Sequence, residues 1–151
     1  MPSEFHYTRM VEFSDTDMAG IMHFSKYFQF MEAAEHGFVR SLGLSVVDKR
    51  DPSLPPLVPG QEKGVEVGWP RVAVNCEYKR PLKFEDVVDV HLKVTQKSEK
   101  AITYSFSFRK QGEKEECARG SVTVVCVTMR QGRMQATFIP KEFGDKIEVS
   151  K

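Results

Sequence analysis

Two aspartates, Asp15 and Asp17, stand two residues apart in the polar turn Ser14-Asp-Thr-Asp-Met-Ala-Gly20, directly ahead of a helical pattern. A helix N-terminus presents unpaired backbone N–H groups and the positive end of the macrodipole, so it can hold a developing oxyanion. A carboxylate just upstream of it can attack a carbonyl carbon or activate a water to do so. That pairing suits acyl transfer through a tetrahedral intermediate. The same spacing also suits helix capping and Asx turns, the commoner use of aspartate before a helix.

The elements that must position this turn are legible from periodicity. Residues Phe5 to Phe13 alternate, with Phe5, Tyr7, Val11 and Phe13 on one side, and predict a first strand. From Phe24 to Leu42 the period changes. Phe24, Tyr27, Phe28, Met31, Ala34, Phe38 and Leu42 form the apolar stripe of one long helix, with Glu32, Glu35 and Arg40 elsewhere on its surface and Gly43 as its C-terminal cap. Residues 44 to 70 hold five prolines and three glycines and read as an irregular excursion. Beyond them Val72 to Tyr78, Val88 to Val94 and Ile102 to Phe108 alternate as half-buried strands joined by short polar turns, which predicts antiparallel pairing. Ser121 to Met129 is partly apolar on both faces, as in a more central strand, and Gly132 turns into a last strand ending near Ile139. One long helix wrapped by an antiparallel sheet of five or six strands is an α+β architecture, and the 151 residues fit one domain, 1–151.

Composition bounds the partners. Twenty-two Lys and Arg against 21 Asp and Glu give no field that points to nucleic acid. No apolar run reaches the roughly 20 residues of a membrane span. Met-Pro-Ser-Glu-Phe-His-Tyr7 lacks the pattern of a secretory leader. Cys76, Cys117 and Cys126 show no metal or disulfide spacing, so reduced, mostly buried thiols in a cytoplasmic protein are expected.

The run Glu12-Phe-Ser-Asp-Thr-Asp-Met-Ala-Gly-Ile-Met-His-Phe-Ser-Lys-Tyr27 closely resembles the first motif of the 4-hydroxybenzoyl-CoA thioesterase branch of the hot-dog superfamily, which includes the YbgC-like acyl-CoA thioesterases. Gly68-Trp-Pro-Arg-Val-Ala-Val-Asn-Cys-Glu-Tyr78, with Pro81 and Phe84-Glu-Asp-Val87, resembles that family's second strand and following turn. The resemblance implies a hot-dog fold and hydrolysis of an aryl- or aliphatic acyl-CoA thioester without metal or redox cofactor. It makes Asp17 the catalytic carboxylate, as nucleophile or general base, and Asp15 a turn-shaping residue. The oxyanion N–H falls at His23 or Phe24, with Gly20 permitting the tight approach, and Tyr27 packs against or closes the acyl pocket. YbgC-like members often carry a histidine where this chain has Phe24. His23 can therefore orient Asp17 or the thioester, or cap the helix. In this family the site forms between protomers, which implies a homodimer, with a homotetramer by resemblance.

Other positions have plainer readings beside the functional ones. Lys79-Arg80 and Arg130-x-x-Arg133 can meet the phosphates of CoA or simply form a solvated face. Trp69-Pro70 can line the acyl pocket or anchor the excursion. Other hot-dog branches use a helix glutamate as base, which makes Glu35 a reserve candidate against a solvated or dimer-facing carboxylate. His36 reads as a surface or interface residue, Asp86 as a turn former, and His6 and His91 carry no assigned role. Two rival functions remain open: a hot-dog hydratase or dehydratase on acyl thioesters, and a non-catalytic acyl-CoA-binding protein.

Overall fold

The buried stripe on the helix dictates the architecture. In the computed structural model, which describes residues 3–47 and 67–151, the helix α1 runs Lys26–Ser41 and buries Tyr27, Phe30, Met31, Ala34, Glu35, Phe38 and Val39. These side chains meet the apolar face of a five-stranded antiparallel sheet. Its strands are β1 (Glu4–Met10), β3 (Arg71–Tyr78), β4 (Val87–Lys97), β5 (Ala101–Lys110) and β6 (Glu116–Val125), in the order β1-β4-β5-β6-β3. Val88, Val90, Leu92 and Val94 of β4 and Ile102, Tyr104, Phe106 and Phe108 of β5 all point at the helix and are buried. Burying each such side chain stabilises the fold by roughly 1.5–3 kcal/mol. A smaller sheet, β2 (Val67–Gly68), β7 (Val127–Arg130) and β8 (Arg133–Ala136), and a short helix α2 (Lys141–Gly144) complete the described chain. Among the described residues no helix is long and apolar enough to cross a membrane.

Several boundaries differ from those read in the sequence. Strand β1 stops at Met10, and Phe13, read as its inward-facing end, lies 77% exposed in a single 3-10 turn over Phe13–Asp15. Phe24 precedes the helix and is 63% exposed, whereas Phe30, absent from the expected stripe, is fully buried. Glu35, expected on the helix surface, is 2% exposed, because residue 35 follows Met31 and Tyr27 at four-residue spacing and shares their face.

Strand β3 is an edge strand, paired to β6 alone rather than to β4. Its alternation is real, but Val72 and Val74 remain exposed because no element among the described residues covers them, and Tyr78 is only partly covered. The stretch Ser121 to Met129 is two strands. The chain breaks at Cys126, whose N–H donates to the Lys100 carbonyl (2.7 Å), and β7 then joins the small sheet. The final strand ends at Ala136, before Ile139, and α2 follows. Most of the Pro- and Gly-rich excursion, residues 48–66, lies outside the described residues.

Close approach of helix and sheet is purchased at one residue. A Cβ on Gly120 of β6 would sit 2.3 Å from the Met31 Cε and 2.5 Å from the Asn75 carbonyl oxygen. The methionine can swing away, but the Asn75 oxygen is backbone and moves only with β3. Gly120→Ala is therefore expected to destabilise the fold by about 1–3 kcal/mol, measured as a lower urea midpoint at unchanged m-value.

Candidate active site at the start of the long helix

The turn before α1 is held by backbone bonds that leave one carboxylate partly free. The Val11 N–H donates to the Asp86 carbonyl and the Glu85 N–H to the Val11 carbonyl, both at 2.8 Å, pinning the end of the first strand to the turn before β4. Asp15 then folds inward. Its Oδ2 accepts the Glu12 N–H (2.9 Å), its carbonyl accepts the His23 N–H (2.8 Å), and the residue is 3% exposed. Asp15 thus shapes the turn.

Asp17 closes a tight reversal. Its N–H donates to the Ile21 carbonyl (2.9 Å), and its carbonyl accepts the Gly20 N–H (3.0 Å). Gly20 has φ +81°, a left-handed conformation that glycine adopts without steric cost. The Ala19 N–H donates to Asp17 Oδ1 at 2.8 Å. That bond fixes the half-buried carboxylate, and Oδ2 has no partner among the described residues.

The backbone N–H groups of His23 and Phe24 are engaged differently. The His23 N–H donates to the Asp15 carbonyl, whereas the Phe24 N–H has no backbone acceptor among the described residues. The His23 ring is engaged too. Its Nδ1 accepts the Ser25 N–H (3.2 Å) and lies 2.7 Å from the Ser25 Oγ, while the ring stacks on Phe24 at 4.5 Å. An acceptor at Nδ1 places the proton of the neutral ring on Nε2. The His23 ring is thus bonded to Ser25, the residue that precedes α1.

A residue that sequence reasoning missed completes the arrangement. The Tyr78 hydroxyl donates to the Phe24 carbonyl (2.9 Å), tying the last residue of β3 to the peptide that enters the helix. Tyr78 packs edge-on against Tyr27 at 4.9 Å. Tyr27 is buried in the core against Phe108 and is hydrogen-bonded to the Leu82 backbone; burial pushes its phenol up to about 12. Its observed part is packing. Only the end position of Tyr78 in an alternating strand hinted at its part.

The remaining candidates lie elsewhere. Lys79 bonds Glu116 at 2.6 Å and Arg80 pairs with Glu115. Arg133 lies opposite Arg130 where β7 turns into β8. Trp69 packs on Phe143 (5.0 Å) and, with Glu35, Val39 and Tyr104, lines a gap with no room for a water molecule. Its indole N–H is buried without a partner among the described residues. Glu35 lies nine residues past the start of α1, about 14 Å along its axis and away from the Asp17 turn.

These features meet their relatives in the comparisons. The family described as the thioesterase-like superfamily matches residues 11–147. The chain belongs to the thioesterase-like superfamily. A protein of Aquifex aeolicus (strain VF5) is 34% identical over 140 residues, spanning 91% of this chain and 93% of that protein. A 1,4-dihydroxy-2-naphthoyl-CoA hydrolase of Prochlorococcus marinus (strain MIT 9313) is 28% identical over 67% of this chain and 64% of its own length. The solved structure of a gentisyl-coenzyme A thioesterase superposes with a TM-score of 0.73 at 27% identity, over 92% of this chain and 98% of that one. The expected branch and fold stand: this member of the superfamily is a thioesterase with the hot-dog fold.

In this thioesterase Glu35 is buried and paired, neither solvated nor dimer-facing: Arg71 of β3 reaches it at 2.9 Å and also lies 3.5 Å from Glu32. Burial pushes its carboxyl up to about 7 from an ordinary 4.5, against the pull of Arg71. Between those values the folded protein holds a proton that the unfolded chain has lost. The contribution is complete below about pH 4.5 and disappears as the pH rises through 7. Relative to Glu35→Gln, the wild type is expected to lose thermal stability from pH 5 to pH 8, read as the pH dependence of the difference in Tm.

Proposed function

We propose that this thioesterase hydrolyses an acyl-CoA thioester, with Asp17 as nucleophile or general base and the Phe24 N–H at the start of α1 as oxyanion donor. One observation carries the reading. A carboxylate with one oxygen tethered by the Ala19 N–H and the other without a partner among the described residues shares its loop with the Phe24 N–H, which has no acceptor among those residues. The thioester carbonyl lies against the helix N-terminus, where the positive dipole end favours the developing negative charge. Asp17, or a water it deprotonates, adds to the carbonyl carbon; the C–S bond then breaks, and CoA leaves as a thiol once protonated. On the nucleophilic route a water subsequently cleaves the acyl-Asp17 anhydride.

The names of the similar proteins support an aromatic acyl group, since one is a gentisyl-coenzyme A thioesterase and another a 1,4-dihydroxy-2-naphthoyl-CoA hydrolase. Aliphatic acyl-CoAs are the alternative. The hydratase reading needs a free histidine, and His23 is engaged with Ser25.

The working form is a homodimer, further assembled into a tetramer. The exposed apolar side chains of edge strand β3 support it, because a strand paired on one side only, with Val72 and Val74 exposed, is a template for a second copy. Tyr78 links that edge to Phe24, so pairing there would brace the oxyanion peptide. Three free thiols suit a reducing, cytoplasmic setting.

A thiol-release screen across aromatic and aliphatic acyl-CoAs tests the reaction. Asp17→Asn is expected to lower kcat by about 10²–10⁴-fold while substrate binding persists; a variant as fast as wild type would sink the assignment. Val74→Lys is expected to convert the sedimenting dimer to monomer, and an unchanged sedimentation coefficient would remove β3 from the interface.

A further inference from the structure

The sheet face turned away from α1 carries a second feature, and the strand registers show how it arises. Reading across neighbouring strands, Lys93 stands opposite Ser105 and Ser105 opposite Ser121; in the next outward row His91 faces Ser107 and Ser107 faces Arg119; in the third Arg109 faces Glu116. Small serines therefore occupy the middle of the sheet, and long cationic side chains surround them. Short side chains between long ones leave a depression of about 240 Å³ with a hydroxyl floor at Ser105 and Ser107 and walls from Lys93, Arg109 and Arg119.

The polar groups here are not all satisfied internally. Glu116 acts as the organiser: it accepts from Lys79 (2.6 Å), Ser107 (2.6 Å) and the Arg119 Nε (3.2 Å), with Arg109 3.9 Å away. Burial alone would raise its carboxyl, but these donors bring it down to about 2, so it stays ionised and holds both guanidiniums in place. Asp89, the register neighbour of Arg109, is engaged by His6 at 3.1 Å, and Glu4 by His91 at 2.8 Å. Two groups of donors are left facing the depression. The terminal nitrogens of Arg119 and the Ser105 hydroxyl have no acceptor among the described residues, while the Lys93 ammonium is held in a long ion pair with Glu4 at 4.0 Å. A concave surface with excess fixed donors and excess positive charge matches tetrahedral oxyanions, which accept from several directions at once.

We infer that the outer face of the sheet holds a phosphoryl-anion site formed by Lys93, Ser105, Arg109 and Arg119, with Ser107 bonded to Glu116 and Arg109 at its floor, separate from the thioester site on the helix side. An inorganic pyrophosphate and a nucleotide diphosphate present the same chemistry to it, and the test distinguishes them.

Isothermal titration of the full-length protein with inorganic pyrophosphate is expected to show one saturable site per chain whose affinity falls with added salt. ADP is titrated in parallel: binding as tight as pyrophosphate assigns the site to nucleotides, and weaker binding assigns it to the inorganic ion. Lys93→Gln and Arg119→Gln are each expected to weaken binding roughly tenfold or more. Ser105→Leu fills the floor and should abolish it. All three side chains are remote from Asp17, so thiol release without added pyrophosphate is expected to match wild type, which also reports that the variants fold. Absence of saturable pyrophosphate binding overturns the inference, as does binding unchanged by the two glutamine substitutions.

Discussion

The packing of the α1 stripe on the curved sheet is the constraint from which the rest of the molecule follows. Tyr27, Phe30, Met31, Ala34, Phe38 and Val39 leave the helix little freedom to rotate or slide, because all are buried in one core with the valines and aromatics of β4 and β5. Gly120 deepens that contact by letting Met31 reach the sheet. A helix fixed along its length also has a fixed end. The positive pole of its dipole thereby has a fixed direction, as the oxyanion role proposed for the Phe24 N–H requires.

The loop ahead of the helix converts that pole into a site by using its polar groups unequally. Asp15 spends its carboxylate and its carbonyl on the turn, His23 spends its N–H on Asp15 and its ring nitrogen on Ser25, and Gly20 supplies the reversal. Asp17 Oδ2 and the Phe24 N–H are what this arrangement leaves over. Tyr78 adds a tie from the sheet edge, so the peptide that would bind an oxyanion is held from the helix side and the strand side together. The edge strand that supplies this tie is also where the chain leaves valines exposed. The proposed dimer and the proposed chemistry therefore share one structural element.

The two faces of the sheet obey opposite rules. The inner face is closed by apolar burial, with Glu35 admitted only because Arg71 reaches across to it. Such a pair is costly to desolvate, and its carboxyl stays near the boundary between charged and neutral forms. Among the described residues no element closes the outer face. Its charges organise one another around Glu116, and the serines in the middle leave room that longer side chains would have filled.

The sequence alone determined the element types, because periods of two and of three to four survive any detail of packing. Strands β4 and β5, the body of α1 and the antiparallel α+β class were legible, and the motif from Glu12 to Tyr27 marked the turn that matters. Only the tertiary structure decided which apolar positions are covered. Alternation alone does not distinguish the edge strand β3 from an inner one, or show that Phe13 and Phe24 face outward. Likewise the aspartate spacing could not rank Asp15 against Asp17, nor His23 against Phe24. The roles proposed for them rest on which N–H and carbonyl groups are bonded to residues such as Glu12, Ala19 and Ser25, and hydrogen-bond partners are a property of the folded chain.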